Sequence, residues 1–435
     1  MTNEMTDDTG ALELTIDTLG AEGDGLASLP DGGRVFVPMA LPGEKLLARR
    51  ADGPGAKAML ETILVPSPDR MTPACPHFGA CGGCAMQHLA PRPYGMWKRD
   101  LLVNALADLG IPTDTVGPLV TVPAASRRRA TWFARRGADG AVEIGFQARA
   151  SHDIVDMRSC NVLAPQLVAL LAPLRDLLGR MLPPGGRAEV VANLLDAGID
   201  LLLRMPGVLP PPLRQMLVGF AAQHDLARLA WQAIARPGTV TPAWQPIVER
   251  RPARVMFGKV AVALPPGAFL QATKQAEDFI VGETVTAMAG AKRIADLFSG
   301  AGAFTFPLAA RSQVHAVDGD KTLIASLRTS ADAAGFGGKI TTETRDLIKN
   351  PLVADELKKF DAVVFDPPRA GAASQAGRLA ASKIPLVVAV SCNPGSFARD
   401  AKLLVEGGYR LESALPIDQF LWTPHLEVLA VFRRG

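Results

Sequence analysis

Between residues 11 and 65 apolar and polar positions alternate in short runs. Glu13-Leu-Thr-Ile-Asp17 alternates as a half-buried strand does, and Arg34-Val-Phe-Val-Pro38 and Lys45-Leu-Leu-Ala-Arg49 read as further short strands. Turn signals at Glu22-Gly-Asp-Gly-Leu26 and Asp31-Gly-Gly33 separate them. Regular short strands with glycine turns predict a small β-barrel of the OB kind, an architecture that often binds nucleic acid. The pattern then changes. Residues 93–110 read as a helix stopped by Gly110-Ile-Pro112, and 165–183 as a leucine-rich amphipathic helix. Strand-like runs at Glu189–Val191, Gly198–Arg204 and Ala227–Ile234, with a helix near 211–224, make the middle region α/β; Pro237 to Pro252 reads as a connection. From about residue 255 the apolar runs become continuous. Residues 292–298, Val314–Val317, Phe360–Phe365, Ile384–Val390 and Val428–Phe432 predict strands of a largely parallel, covered sheet.

Three units follow: a β-barrel over 1–68, a central α/β region over 69–253 and a C-terminal α/β domain over 254–435. A length of 435 residues suits two or three domains with ample cores. No apolar run reaches the roughly eighteen residues of a membrane span. The N-terminal MTNEMTDDTG is polar and acidic, unlike a signal peptide, so a cytoplasmic protein is expected. A net charge of +3 says little about partners; clustering of the arginines says more. With five cysteines and no export signal, metal or catalytic roles are favoured over disulfides.

Four of those cysteines form one pattern. Cys75, Cys81 and Cys84 are spaced C-x5-C-x2-C, and Cys160 follows in Asp156-Met-Arg-Ser-Cys160. Structural zinc usually shows two local knuckles, so a tight triplet plus one distant cysteine fits a [4Fe–4S] cluster better than zinc. Gly79, Gly82 and Gly83 would let the backbone wrap a bulky group; His77 is a weaker candidate ligand. Between these cysteines lies Ser126-Arg-Arg-Arg-Ala-Thr-Trp-Phe-Ala-Arg-Arg136. Arginines interleaved with aromatics suit phosphate contact and base stacking. On a strand, Arg127, Arg129 and Phe133 share one face, which makes them the candidate RNA contacts.

The fifth cysteine, Cys392, ends the run Ile384–Val390 at Ser391-Cys-Asn-Pro-Gly395. Ligands of open α/β sheets bind beyond strand carboxyl ends, so a thiol there is placed as a nucleophile. The strand 292–298 runs into Ser299-Gly300-Ala-Gly302 and a helix from Thr305, and the next strand ends at Asp318. Glycines admit a nucleoside close to the backbone, and Asp318 can take ribose hydroxyls. The dinucleotide G-x-G-x-x-G is absent, which favours an adenosyl cofactor without a pyrophosphate. Asp366-Pro-Pro-Arg369 fixes a carboxylate and a guanidinium in a stiff loop. Glu427 enters an apolar strand, where a carboxylate is costly without partners or a task; general base is the functional reading.

Together these motifs resemble the S-adenosylmethionine-dependent RNA (uracil-5-)-methyltransferases, specifically their iron–sulfur 23S ribosomal RNA branch, over nearly the whole chain. The resemblance implies a Rossmann-like class I methyltransferase domain at the C-terminus. It implies a TRAM domain at the N-terminus, through Gly23-Asp-Gly25, Val35-Phe-Val-Pro38 and Leu41-Pro-Gly-Glu44. It implies a [4Fe–4S] cluster on Cys75, Cys81, Cys84 and Cys160, Cys392 as nucleophile and Glu427 as base. S-adenosylmethionine contacts fall on Gln271, Phe298, Gly300, Gly302, Asp318, Asp346 and Asp366. Where the family often has a polar residue the chain has Ala303, leaving only backbone contact. The implied reaction adds the Cys392 thiolate to uracil C6, methylates C5, and removes the C5 proton with Glu427. The partner is 23S rRNA, with no obligate protein partner and a monomeric chain. Transfer-RNA uracil methylation, methylation of an exocyclic nitrogen, and a non-catalytic iron–sulfur RNA-binding protein are the competing expectations.

Overall fold

A computed structural model describes residues 11–51, 56–235 and 241–434. The acidic run MTNEMTDDTG lies outside these residues. Among the described residues no helix is long and apolar enough to cross a membrane.

The N-terminal alternation is real. Leu12 and Leu14 point inward while Glu13 and Thr15 face solvent. Strands Leu12–Thr15, Lys45–Arg50 and Ala58–Val65 form one antiparallel sheet, and Thr18–Leu19, Gly25–Ser28 and Arg34–Val37 a second. Their inner faces share a core that includes Leu14, Ile16, Ala27, Val37 and Leu46. Leu41-Pro-Gly-Glu44 is a turn closed on itself. Buried Glu44 accepts the Leu41 N–H at 2.8 Å and an ion pair from Arg70 at 2.5 Å.

The central region is a six-stranded sheet in the order Gln245–Glu249, Arg228–Ala233, Gly198–Met205, Arg187–Leu195, Arg129–Arg136, Val142–Gly145. Only the pair flanking the helix Pro211–Gln223 runs parallel. Two expectations change here. The helix at 165–183 is two helices, Pro165–Val168 and Leu171–Met181. The proline-rich connection contains the edge strand Gln245–Glu249, where Pro246 is tolerated because an edge need not donate on both sides. One sheet face packs Trp132 and Leu201 against those helices. The other face holds the segment 264–272. Arg228 donates to the Leu264 carbonyl (2.7 Å), Asn193 to Ala268 (3.0 Å) and Arg128 to Gln271 (3.2 Å).

The C-terminal sheet has eight strands: Ile340–Thr344, Gln313–Asp318, Arg293–Leu297, Ala362–Phe365, Leu386–Ser391, Glu427–Arg434, Tyr409–Asp418 and Val120–Thr121. The first five are parallel; Glu427–Arg434 is antiparallel to its neighbours. This is a mostly parallel, twisted α/β sheet with its loops at the strand carboxyl ends. The boundary at 253/254 is crossed by the segment 91–121. Helix Pro91–Ala107 buries Leu102 and Leu106 in the C-terminal core, and Val120–Thr121 supplies the last strand. Burial of this apolar face decides its place, not its position in the chain.

Candidate active site

Loops at the carboxyl ends of all five parallel strands line one cavity of about 680 Å³. The first follows Arg293–Leu297. Phe298 takes a left-handed φ of 61°, Gly300 of 54° and Gly302 of 100°, which folds the chain back into the short helix Thr305–Ala309. Asp318, at the end of the next strand, accepts the Gly300 N–H (2.8 Å) and the Asp320 N–H (2.8 Å), fixing its carboxylate beneath the loop. Gln271, Phe298, Gly300, Asp318, Asp346 and Asp366 all line the cavity. Gly302 does not. A Cβ there would stand 2.8 Å from the Phe306 ring, so this glycine permits packing and is no part of the cavity wall. Asp346 is exposed and accepts the Ile348 and Lys349 N–H groups, capping its own turn.

Cys392 and Glu427 line the same cavity from the other end. Cys392 is half-buried in the turn after Leu386–Ser391, immediately before the helix Pro394–Glu406. Asn393 caps that helix, accepting from Gly395 (2.9 Å) and Ser396 (3.1 Å). The Asp366-Pro-Pro-Arg369 loop is bolted to the same helix. Ser396 Oγ donates to the Arg369 carbonyl (3.0 Å), Arg399 to Ala370 (2.6 Å), and Asp400 accepts from Ala372 (2.6 Å). These three hydrogen bonds tie the Asp366 loop to the helix that follows Cys392.

The electrostatics are those of a dry carboxylate pocket. Burial raises Glu427 well above the usual carboxylate range, and the neighbouring Asp366 raises it further. Asp366 is pushed up to about 7 by burial, opposed by the Gln271 hydrogen bond. Burial, then Glu427 and Asp366, push the Cys392 thiol up to about 11, while Arg369 acts in the opposite sense. Two buried residues that the sequence reading did not single out stand behind the cavity wall. Asp296, 1 % exposed, accepts from Thr305 Oγ1 at 2.5 Å and is pushed up to about 7 by burial. Gln419 donates to Glu427 Oε2. The only sequence signal for either was a polar residue inside an apolar run.

Of the arginine cluster, only part faces the cavities. Arg127 lines a cavity and lies over the Phe420 ring at 5.9 Å; Arg129 lies over Phe269 at 4.6 Å. Phe133 is half-buried on the same face of its strand. Arg128 is buried in an ion pair with Glu277 (2.6 Å), and Arg135 pairs with Glu143 (2.8 Å).

Cys75, Cys81, Cys84 and Cys160 line a second cavity, of about 650 Å³, which shares Arg369 and Phe420 with the first. Burial pushes the Cys84 thiol up to about 12, and the other three cysteines add to it, so the sulfurs are mutual neighbours. His77 is not free to join them, because its Nε2 accepts the Arg158 N–H at 3.2 Å. Among the described residues no three His, Cys, Asp or Glu side chains converge as the ligands of a single metal ion would.

The tRNA (Uracil-5-)-methyltransferase family model matches residues 338–434, the stretch that carries Asp366, Cys392 and Glu427. An uncharacterized RNA methyltransferase of Brucella suis is 42% identical over 97% of this chain and 98% of its own. The 23S rRNA (uracil(1939)-C(5))-methyltransferase of Chromohalobacter salexigens is 34% identical over 98% of this chain and 90% of its own. The Pyrococcus abyssi tRNA (uracil-54, C5)-methyltransferase, solved with S-adenosyl-L-homocysteine, has the same fold. Its TM-score is 0.73 at 23% identity, over 97% of this chain and 100% of that one. With that coverage and the cysteine–glutamate cavity at its centre, the chain belongs to the RNA uracil-C5 methyltransferases.

Proposed function

We propose that this enzyme methylates C5 of a uridine in 23S ribosomal RNA, with S-adenosylmethionine as donor and a covalent adduct between Cys392 and uracil C6 as intermediate. The observation that carries the reading is the single cavity lined at one end by the glycine loop and Asp318 and at the other by Cys392, Asp366 and Glu427. Uracil C5 is a poor nucleophile. Attack of the Cys392 thiolate on C6 forms a C–S bond and moves the electron pair to C5 as an enolate. C5 takes the methyl group from the sulfonium, releasing the thioether. Glu427 takes the C5 proton, and the returning pair expels Cys392 from C6. A thiol held near 11 is a poor thiolate source by itself. A sulfonium in the same dry cavity, Arg369 and the start of the Pro394–Glu406 helix all favour the anion.

The ribosomal substrate rests on the 34% identical relative, which spans nearly this whole chain. Arg127, Arg129 and Phe133 and the N-terminal β-unit, read as a TRAM-like domain, are its proposed RNA contacts; the target base must leave its stack to reach Cys392.

For the four cysteines of the second cavity a [4Fe–4S] cluster is the proposed occupant. Each of its thiolates binds a different iron, so its ligands stand farther apart than those of one zinc ion. A Cβ at Gly82 would meet the Gln147 carbonyl at 2.8 Å, so the backbone closes tightly there. Buried Gln87 accepts the Cys75 N–H at 3.1 Å, and its Nε2 has no oxygen acceptor but lies beside Cys84. Such a cluster would cross-link the 75–84 loop to Cys160 and thus to the Arg127–Arg129 strand.

The test is transfer of labelled methyl to unmodified 23S rRNA and tRNA transcripts, with nucleosides resolved by mass spectrometry. 5-Methyluridine in 23S rRNA alone is expected. 5-Methyluridine in tRNA alone would replace the substrate, and a product at an exocyclic nitrogen would replace the chemistry.

A further inference from the structure

Of the two carboxylates of the active site, Glu427 is buried and Asp366 is partly exposed, and both line the cavity. They are joined by two amides. Gln419 Nε2 donates to Glu427 Oε2 at 2.5 Å and to Gln271 Oε1 at 2.9 Å. Gln271 Nε2 donates on to Asp366 Oδ2 at 2.9 Å. Gln419 Oε1 accepts the Ala272 N–H at 3.0 Å, so its orientation is set by the backbone and its nitrogen must face Glu427. Gln419 is 1 % exposed. Glu427 Oε1 is buried and has no protein partner.

We infer that Gln419 is a positioning residue for the base: by occupying Oε2 it makes Oε1 the oxygen that takes the C5 proton. An amide N–H donates and does not accept, so the proton cannot pass along the chain to Asp366. The chain also divides labour between the acids. Gln271 fills one oxygen of Asp366 and Gln419 one oxygen of Glu427, leaving each a single oxygen for the base. The segment carrying Gln271 and Ala272 is in turn held by Arg128, which donates to the Gln271 carbonyl (3.2 Å), and by the Arg128 N–H on the Ala272 carbonyl (2.9 Å). The central sheet thus reaches the base through two amides.

The inference rests on the covalent reading above, and the experiment separates the two. RNA with 5-fluorouridine at the target has no C5 proton to remove, so an adduct that has been methylated stays on Cys392. Wild type should be trapped on it. Gln419→Met, close in volume but unable to donate, should be trapped at nearly the wild-type rate. On ordinary uridine RNA the same variant should turn over about tenfold or more slowly and accumulate adduct on denaturing gels. Its pH–rate profile should move to higher pH by about one unit, because a donor lost from a carboxylate favours its protonated form. Asp366, Cys392 and Arg369 also face this pocket, while His425 lines the neighbouring cysteine cavity and the Lys98–Asp418 ion pair (2.7 Å) is fully buried. None of them is itself substituted; because Gln419 also donates to Gln271, which holds Asp366, a moved profile is assigned to Glu427 where trapping on the fluorinated RNA keeps the wild-type rate. Gln419→Glu, near-isosteric and acidic, should move it further. If Gln419→Met slows trapping and turnover alike with an unmoved profile, the amide only packs and the inference falls. If wild type itself forms no adduct with the fluorinated RNA, the covalent reading falls first.

Discussion

The catalytic cavity and the cysteine cavity share a wall yet are held in opposite ways. In the first, the protein supplies the restraints. Glu427, Asp366 and Asp296 are each fixed by a neighbouring side chain, through Gln419, Gln271 and Thr305. In the second, the sulfurs are held by their own backbone loops. The Gly83 N–H reaches Cys81 Sγ at 3.4 Å, and the Val162 and Leu163 N–H groups face Cys160. A preorganised site of fixed carboxylates needs no added group to hold its shape. A ring of thiols in glycine turns takes its rigidity from whatever bridges it. Substitution at the two cysteine types should therefore separate activity from stability.

Cys392→Ala is the larger effect on activity. Methyl transfer should fall by at least roughly a thousandfold, since the addition step has no substitute nucleophile. Thermal unfolding should be nearly unchanged, because the thiol is half-buried in a turn that Asn393 caps independently. Retained methylation would remove the distinction between the two regions. Cys84→Ser should do the reverse. Iron content should drop below that of wild type and the chain should unfold at lower temperature, by several degrees, as a lost cross-link implies. Activity of the folded fraction should fall much less than for Cys392→Ala. Unchanged metal content and melting would leave the four cysteines without the proposed role.

The difference also explains what was legible in the sequence. The apolar runs located four of the five parallel strands, because a strand covered on both faces must be apolar throughout; the edge strand Ile340–Thr344, mostly polar, was missed, and the run Val428–Phe432 is antiparallel. Cys392, Asp318 and Asp366 were readable because each stands where such a run stops. The cysteine spacing led to the expectation that the four thiols are neighbours, and they do line one cavity. Gln419 and Asp296 were not readable. Their roles depend on partners 8 and 9 residues away and across the pocket, and an isolated glutamine or aspartate has no periodicity. The segment 91–121 was assigned by order along the chain, whereas its buried Leu102 and Leu106 belong to the C-terminal core. The strand period separated Arg127, Arg129 and Phe133 from Arg128, and the burial pattern keeps that split. Arg128 is a strut inside the protein, and only its neighbours with Phe269 and Phe420 beneath them remain for RNA.

The smallest expected effect probes the cost of a carboxylate pocket. Asp296 is raised from 3.8 to about 7 by burial first, with Asp366 and Asp318 adding to the shift and Thr305 opposing it. A carboxyl group whose folded value lies above its unfolded one stabilises the fold fully below pH 4. That stability is lost as pH rises toward 7, because the unfolded chain gives up its proton first. The loss at this one residue is on the order of 4 kcal/mol, with Asp366 titrating in the same range. Asp296→Asn keeps an oxygen for the Thr305 hydroxyl and cannot ionise. It should match wild type near pH 4 and unfold at a temperature a few degrees higher near pH 8, read by calorimetry at both values. A difference that does not depend on pH would mean that Thr305, not burial, sets the state of Asp296. The dry, self-restrained pocket would then carry a smaller stability cost than its three buried acids imply.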